Sequence, residues 1–295
     1  MRTKNINQGL PLSQCRTCAI LKSILRKPLV LITRIYVFIF GRPSAQFFND
    51  ALLLITLRAR GYGNCCGINA TGEHNFIKLL AKHNPKLCID IGANKGEYSL
   101  KLLQETNSNV VAFEPLPKAF DQLSKLKEDY SLRFEPYNFG IGSKQEKMKF
   151  HYGEDDELGS FSTEVNQVEF IGNNNKNSIE VDVISLDHFY EKTLREKYNE
   201  LDLIKVDTEG FEMEVLLGAQ KTIKAIRPKF IQIEFNVHQL YLSQSLLKLS
   251  ELMQGYKPYQ LLPHGTSLIY RDVTTPESNV YIYSNFVFVR EDILI

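Results

Sequence analysis

The chain has 295 residues, 43% of them hydrophobic, which is enough for one sizeable core with an appendage. Its net charge of +1 is unevenly placed, because residues 1–49 contain eight Lys and Arg and no acid, which leaves −7 for the remainder. An acidic main body with scattered basic residues argues against a general nucleic-acid binder, which needs a basic face. We therefore expect no nucleic-acid partner.

Five cysteines, at positions 15, 18, 65, 66 and 88, are too few for a disulfide framework in a chain of this length. Cys88 also lies in an apolar run typical of a buried strand. Free thiols are expected in a reducing compartment, so the sequence favours a cytoplasmic location.

The N-terminal extension, residues 1–45, is basic and apolar. Its stretch Pro28 to Phe40 is too short for a transmembrane helix and has Arg34 in the middle. No cleavage site of a secretory signal follows it. Three readings stay open: an organelle transit peptide, a basic amphipathic helix on the inner face of an anionic membrane, or helices packed on the domain or on a second copy in a homodimer.

Residues 46–84 are predicted to form a helical lead-in to the catalytic domain. Apolar spacing predicts one helix over 47–60, ending at Gly61, and a second over 74–83. Pro85 stops the second helix before the first strand.

From residue 85 to 295 strands and helices alternate. The strands are predicted at 86–91, 109–115, 134–141, 201–207 and 229–236, and the helices at 97–105, 117–130, 212–225 and 239–254. The strand runs are almost continuously apolar, as expected where helices cover both faces. This order predicts a doubly wound, mainly parallel α/β sheet.

Two stretches interrupt the alternation. Residues 147–184 are predicted to insert a β-hairpin with a mobile loop, and the part from 153 to 178 is a candidate lid over an acceptor because it contains acids and the aromatic Phe161. The C-terminal stretch 279–292 is rich in β-branched and aromatic residues. We expect it to complete the sheet, as one edge strand or as a hairpin.

Polar residues follow the predicted strands at the point where each strand ends. They are Asp90, Glu114, Asn138, Asp207 with Glu209, and Glu234 with Asn236. In open α/β sheets the carboxyl ends of the strands form the ligand-binding edge. The sequence therefore predicts one site at that edge.

The loop Gly92 to Gly96 permits close backbone approach, with Asn94 able to adopt left-handed geometry. Glu114 lies 18 residues after Gly96 and is placed to accept both hydroxyls of a ribose. A nicotinamide dinucleotide would require a further glycine or alanine where this chain has Glu97, and that carboxylate would repel a pyrophosphate. Glu97 instead favours a cofactor with an ammonium group, and S-adenosylmethionine has one.

The stretch "LIKVDTEGFEMEVLLGA", residues 203–219, brings Asp207 and Glu209 to the same edge. Gly210 permits a turn there. Glu212 and Glu214 fall in the first turn of the next helix, where acids interact favourably with the helix dipole, and we interpret them in that way.

The segments "CIDIGANKGEYS", "VVAFEPLP", "DLIKVDTEGFEMEVLLGA" and "IQIEFN" together resemble the FkbM family of S-adenosylmethionine-dependent O-methyltransferases. The resemblance covers about residues 70–240. It implies the class I, Rossmann-like methyltransferase fold with an antiparallel C-terminal strand, and methylation of a hydroxyl on a sugar, glycan, glycolipid or natural product.

Specific positions follow from that resemblance. It implies that the methionine part is held by Asp90, Gly92, Asn94 and Gly96, and the ribose by Glu114. Phe113 or Pro115 would flank the adenine, with Asn138 near its edge. Asp207 and Glu209 match the family's acidic motif.

A sugar hydroxyl benefits from a base that removes its proton. Glu209 is the first candidate, Asp207 the second and His238 the third, since imidazole titrates near neutral pH. Asp207, Glu209 and Glu234 could also bind Mg²⁺. Two alternatives stay open: an oxidoreductase with a nucleotide cofactor, and a catalytically silent scaffold with this fold.

Overall fold

The computed structural model describes residues 16–65, 67–154, 159–265 and 268–295. The chain divides into two units, one up to Thr56 and one from Leu57 to Ile295. The first contains helix α1 (Arg16–Phe40) and most of α2 (Gln46–Ala59). Among the described residues, no helix has both the length and the apolar character needed to cross a bilayer.

The second unit alternates strands and helices, as predicted. Its strands are β1 (Leu87–Ile91), β2 (Asn109–Phe113), β3 (Phe134–Tyr137), β4 (Gly140–Gly142), β5 (Glu146–Tyr152), β6 (Asn177–Ser185), β7 (Leu203–Val206), β8 (Phe230–Phe235), β9 (Tyr256–Gln260), β10 (Ile269–Tyr270) and β11 (Ser284–Arg290). Its helices are α3 (Glu73–Ala81), α4 (Glu97–Glu105), α5 (Pro117–Ser124), α6 (Leu126–Tyr130), α7 (Glu169–Asn174), α8 (Leu186–Phe189), α9 (Glu212–Gly218), α10 (Gln220–Ile226), α11 (Val237–Tyr241) and α12 (Leu246–Ser250).

The main sheet has eight strands in the order β10-β9-β11-β8-β7-β1-β2-β3. Strands β3, β2, β1, β7 and β8 pair in parallel, and β11 is antiparallel to both β8 and β9. The predicted fold class, a mainly parallel doubly wound sheet with an antiparallel C-terminal strand, is confirmed.

Two core clusters cover the faces of this sheet. In β1, Leu87, Ile89 and Ile91 pack into one cluster and Cys88 into the other, because successive side chains of a strand point to opposite faces. Burial raises the pKa of the Cys88 thiol to about 12. Each fully buried aliphatic side chain contributes about 1.5–3 kcal/mol, and the coverage of both faces explains the continuous apolar runs.

Two predicted elements differ in the structure. The stretch 134–141 is not one strand. Strand β3 joins the main sheet, and β4 joins a second, three-stranded sheet. The chain turns between them at Asn138, whose side chain donates to the carbonyls of Glu114 and Pro115. The C-terminal stretch is not at the edge, since β11 lies between β8 and β9. We did not predict β9 or β10.

The insertion does contain the predicted antiparallel pair, β5 with β6, and β4 extends it on the other side of β6. Between the two strands lie a 3-10 turn (Glu164–Gln167) and α7. The acids at 155–157 fall outside the described residues. Phe161 is buried and packs on Phe150 and Phe211, so it belongs to the core cluster that also covers one face of the main sheet, and it lines the cavity described below.

Candidate active site

A cavity of about 810 Å³ opens at the carboxyl ends of the parallel strands. Most of the predicted site residues lie in its wall: Gly92, Asn94, Glu97, Phe113, Glu114, Asp207, Glu209, Glu234 and His238. Further wall residues that were not predicted as site residues include Tyr281 and Tyr283 near the C-terminus, Thr71, and Glu73 at the start of α3. The topology thus brings together residues from the whole catalytic unit.

The loop after β1 is held against the end of β2. The backbone N–H groups of Gly92 and Ala93 both donate to the carbonyl of Phe113, at 3.0 and 2.9 Å. Gly92 has φ +76°, and a Cβ there would lie 1.8 Å from the carbonyl oxygen of Asp207. Only glycine allows the ends of β1 and β7 to approach this closely.

Glu114 joins this loop to the next one. One of its carboxylate oxygens accepts from the backbone N–H of Asn94 at 2.9 Å, and the other accepts from the N–H of Leu116 at 2.8 Å. Charge-assisted bonds of this kind are among the stronger hydrogen bonds. They fix the orientation of a carboxylate that lines the cavity.

Three predicted cofactor residues, Asp90, Gly96 and Asn138, are not among the residues that line the cavity. Asn138 is exposed and donates to the carbonyls of Glu114 and Pro115, so it holds the loop after β2 in place. Gly96 precedes α4 with φ +90°. Asp90 is fully buried and accepts from the hydroxyl of Ser99 at 2.7 Å. These contacts support the loop, and the cofactor roles that the resemblance implies for the three residues stay a prediction.

The carboxylates of Asp207, Glu209 and Glu234 converge, with oxygens within 4.8 Å of one another. Glu209 has φ +50°, a left-handed conformation that costs a non-glycine residue about 1–2 kcal/mol. The hydroxyl of Ser160 donates to its carbonyl at 2.6 Å and helps to hold this conformation. The sequence prediction that the three acids meet is thus reproduced in the structure.

His238 lies next to Glu209. Its Nδ1 is 3.0 Å from Oε2 of Glu209, although the ring N–H is not well aligned, so the contact is an ion pair rather than a linear hydrogen bond. Burial lowers the pKa of His238, but the Glu209 carboxylate more than offsets this and raises it above the ordinary value. Burial raises the pKa of Glu209, and His238 only partly offsets that rise.

Lys205 is the functional candidate that sequence reasoning missed. It is buried in β7, in register with Asp90 on β1, and its Nζ lies 3.0 Å from Asp207 and 3.6 Å from Asp90. The same nitrogen lies 4.8 Å from the ring centroid of Tyr98. A lysine inside the otherwise apolar "LIKV" strand was the available signal, because a buried lysine needs charged partners.

Lys205 sets the charge state of Asp207. Burial raises the pKa of Asp207, but the ammonium of Lys205, with smaller contributions from Glu234 and His238, offsets burial and leaves the pKa below its ordinary value. Burial lowers the pKa of Lys205 as well, and the two acids Asp207 and Asp90 reverse that effect and raise it. Both groups are therefore charged at neutral pH.

The pKa of Glu234 shifts in the opposite direction to that of Asp207. Burial, together with the negative charges of Asp207 and Glu209, raises the pKa of Glu234 well above its ordinary value. The amide of Asn236 donates to one of its oxygens. Glu234 is thus the most weakly acidic of the three carboxyl groups and is placed to share a proton with Asp207.

Glu212 holds the turn that carries Glu209. One oxygen of the buried Glu212 carboxylate accepts from the backbone N–H and the hydroxyl of Thr208 and from the N–H of Gly210, at 2.9, 3.0 and 3.2 Å. The other accepts from Gln239 at 2.6 Å. We interpreted Glu212 as a helix-dipole residue, and these contacts give it a further, tertiary role.

This arrangement combines a pocket for a nucleoside with an acid–base pair. Glu209 and His238 can accept and hold a proton, and Asp207 presents a fixed negative charge beside them. The oxygens of Asp207, Glu209 and Glu234 are also of the kind that binds a divalent cation.

Comparison with known proteins agrees with this architecture. Residues 90–257, more than half of the chain, match the family described as Methyltransferase FkbM domain. The chain is 27% identical over 168 residues to the hexuronic acid methyltransferase AglP of Haloferax volcanii, a match that covers 56% of this chain and 64% of AglP.

The 2-O-methyltransferase NoeI of Sinorhizobium fredii is 26% identical over 210 residues, covering 65% of this chain and 81% of NoeI. A solved O-methyltransferase from Bacillus cereus aligns over 88% of this chain and 97% of that chain, with 13% identity and a TM-score of 0.41. The family match confirms the resemblance on which the site residues were assigned, and the chain belongs to the FkbM family of methyltransferases.

Proposed function

We propose that this protein is an S-adenosylmethionine-dependent O-methyltransferase that acts on a sugar hydroxyl. One observation supports this most directly. A single cavity is lined both by the glycine loop with Glu114 and by the Glu209–His238 pair. A nucleoside cofactor and an acceptor hydroxyl can therefore bind in the same space.

The cofactor part of the wall fits S-adenosylmethionine. Asn94 and Glu114 are joined by a hydrogen bond at the loop, and Phe113 offers an apolar surface beside them. Glu97 adds a negative charge to the wall, which suits an ammonium group and disfavours a pyrophosphate. When bound, S-adenosylmethionine supplies an activated methyl group.

The chain's own residues position and deprotonate the acceptor. Methyl transfer depends on alignment of the attacking oxygen, so the wall contributes largely by orienting the hydroxyl. Glu209 accepts the hydroxyl proton, and the neighbouring His238 cation stabilises the Glu209 carboxylate until then. Asp207, held ionised by Lys205, accepts a hydrogen bond from the sugar.

The wall also favours an uncharged sugar. Six carboxyl groups line it, and these are Glu73, Glu97, Glu114, Asp207, Glu209 and Glu234, whereas the basic groups are Lys95, Lys205 and His238. The acids outnumber the basic groups even with Glu234 protonated. An anionic acceptor would face net repulsion there. We therefore expect a neutral hexose or an amino sugar to be a better acceptor than the hexuronic acid named for AglP.

Calorimetric titration with S-adenosylmethionine, and with NAD as the competing cofactor, tests the first step. We expect S-adenosylmethionine to bind and NAD not to bind. Glu114→Gln should weaken binding by about 1.5–3 kcal/mol, the scale for a hydrogen bond to a charged group. Glu128→Gln, which changes an acid outside the cavity wall, serves as the control. Absence of binding would leave only the fold and favour a catalytically silent scaffold.

Transfer of a radiolabelled methyl group to a panel of hexoses, amino sugars and hexuronic acids tests the second step. Glu209→Gln should lower kcat and leave the affinity for S-adenosylmethionine unchanged. An enzyme that binds the cofactor and methylates only non-sugar hydroxyls would refute the proposed acceptor while leaving the methyltransferase assignment intact.

The convergence of Asp207, Glu209 and Glu234 supports a second candidate, in which Mg²⁺ binds to these acids and orients two adjacent hydroxyls. A chelator would then abolish activity, and Mg²⁺ would restore it. Glu234→Gln would raise the Mg²⁺ concentration needed. Activity that is unchanged by chelation would favour the metal-independent role of Glu209 and His238.

A further inference from the structure

The first unit exposes much more apolar surface than the second. Between Leu29 and Ile55, fourteen large apolar side chains are exposed, among them Leu29 at 61%, Phe38 at 77% and Phe47 at 88%. The described residues from 57 to 295 have only ten such side chains in a stretch many times longer. A concentration of this kind marks an interaction surface.

Over the stretch from Leu29 to Ile55, the two helices of this unit do not cover each other's apolar side chains. Their contacts lie at the corner where they meet: the hydroxyl of Tyr36 donates to Asn49 at 2.7 Å, Asn49 donates to the carbonyl of Phe40 at 3.0 Å, and the Phe40 and Phe48 rings lie 5.3 Å apart. Away from this corner both helices keep apolar side chains exposed. We call residues 16–56 the helix pair.

The charge of the helix pair indicates what covers it. Residues 16–49 contain six Lys and Arg and no acid; Arg34 lies within the apolar stretch 28–40, and Arg42 follows it. Contact with the same surface of a second copy would bring these like charges together. Anionic lipid headgroups would neutralise them while the acyl region accepts the apolar side chains.

We propose that the helix pair lies in the interface of an anionic bilayer, with its apolar side chains at the acyl boundary and its basic residues among the headgroups. This binding is independent of the methyl acceptor. It accounts both for the exposed apolar surface and for the excess of six basic residues over one acid, Asp50, whereas burial against another apolar protein surface accounts only for the first.

The absence of tryptophan from the chain permits a site-specific test. Phe38→Trp places the sole tryptophan on the helix pair, and Leu132→Trp places it at a 93% exposed position of the catalytic unit. Vesicles of phosphatidylcholine mixed with phosphatidylglycerol should shift the emission of Phe38→Trp to shorter wavelength and leave that of Leu132→Trp unchanged. Equal emission of Phe38→Trp with and without these vesicles would overturn the proposal.

Flotation of the full chain with the same vesicles gives a second measurement. Phe38→Glu should abolish flotation, Arg34→Ala should lower the partition coefficient roughly fivefold, and Leu132→Glu should have no effect. Added salt should weaken the binding. Failure of the wild type to float, or a solution dimer that Phe38→Glu dissociates, would assign the surface to another occupant.

Circular dichroism and binding of S-adenosylmethionine should be the same for all variants, which separates loss of membrane binding from unfolding. Because these readouts do not require methyl transfer, the membrane proposal and the proposed sugar acceptor can fail independently.

Discussion

Lys205 on β7 and Asp207 just beyond it form an ion pair of 3.0 Å at the junction between the cofactor loop and the acid cluster. Lys205 also lies 3.6 Å from Asp90, so one buried ammonium neutralises acids on two neighbouring strands. This pairing favours the ionised form of Asp207 beside Glu234, whose pKa is raised.

Lys205→Met is expected to be strongly destabilising, because it leaves Asp90 and Asp207 buried without a counter-charge. The loss on breaking a buried pair is about 3–5 kcal/mol, measurable by urea unfolding. Lys224→Met, at an exposed position on α10, is the matched control and should change stability little. Equal stability of the two variants would mean that the ammonium has no structural role.

Gly92→Ala is expected to disrupt the cofactor loop, because its Cβ would overlap the carbonyl of Asp207. We expect loss of S-adenosylmethionine binding together with a lower unfolding temperature. Gly265→Ala is the control: its φ is also positive, but its Cβ would meet nothing within 4 Å, so only the backbone cost of about 1–2 kcal/mol applies. Normal cofactor binding by Gly92→Ala would contradict the close approach of the two strands.

Glu212→Gln is expected to loosen the turn at 208–210 and so displace Glu209. Catalytic turnover should fall while the affinity for S-adenosylmethionine stays unchanged, since the cofactor loop is elsewhere. Glu214→Gln, in the same first helical turn, lacks these side-chain contacts and should retain turnover. If both variants lose turnover equally, the role of Glu212 is the helix-dipole effect alone.

The His238–Glu209 pair predicts a pH dependence of stability. Because the pKa of His238 is raised in the folded protein, its stabilising contribution is present in full below the unfolded value of about 6.5 and disappears as the pH rises through the folded pKa. The raised pKa of Glu209 also lowers the stability of the folded protein as the pH increases, because ionisation of Glu209 is less favourable in the folded state.

Urea unfolding of wild-type protein and His238→Gln, from below about pH 6.5 to above the raised pKa of His238 in the folded protein, measures the effect. The wild type should be the more stable at acidic pH, and the difference should shrink as the pH increases. A difference that grows with pH would show that His238 is neutral in the folded state.

The local sequence pattern was sufficient to predict the helices and strands whose limits depend on a single stretch of the chain. The helix from Glu97 to Glu105 has the predicted bounds. The strand that contains Asp90 and the strand that ends just before Glu114 follow each other as predicted. These elements were predictable because hydrophobic period and turn residues are local properties of the sequence. The long helix predicted at 239–254 is instead two short ones, α11 and α12, and the strand that follows them was not predicted.

For the site, the amino-acid pattern was enough to predict that acids and a glycine loop follow neighbouring strands, and parallel strands bring their carboxyl ends to one edge. Three relationships became visible only in the folded chain: β11 inserts between β8 and β9, Lys205 bridges Asp90 and Asp207, and His238 contacts Glu209. These relationships depend on contacts between segments far apart in the chain, and charge states in a buried site depend on such contacts rather than on residue type.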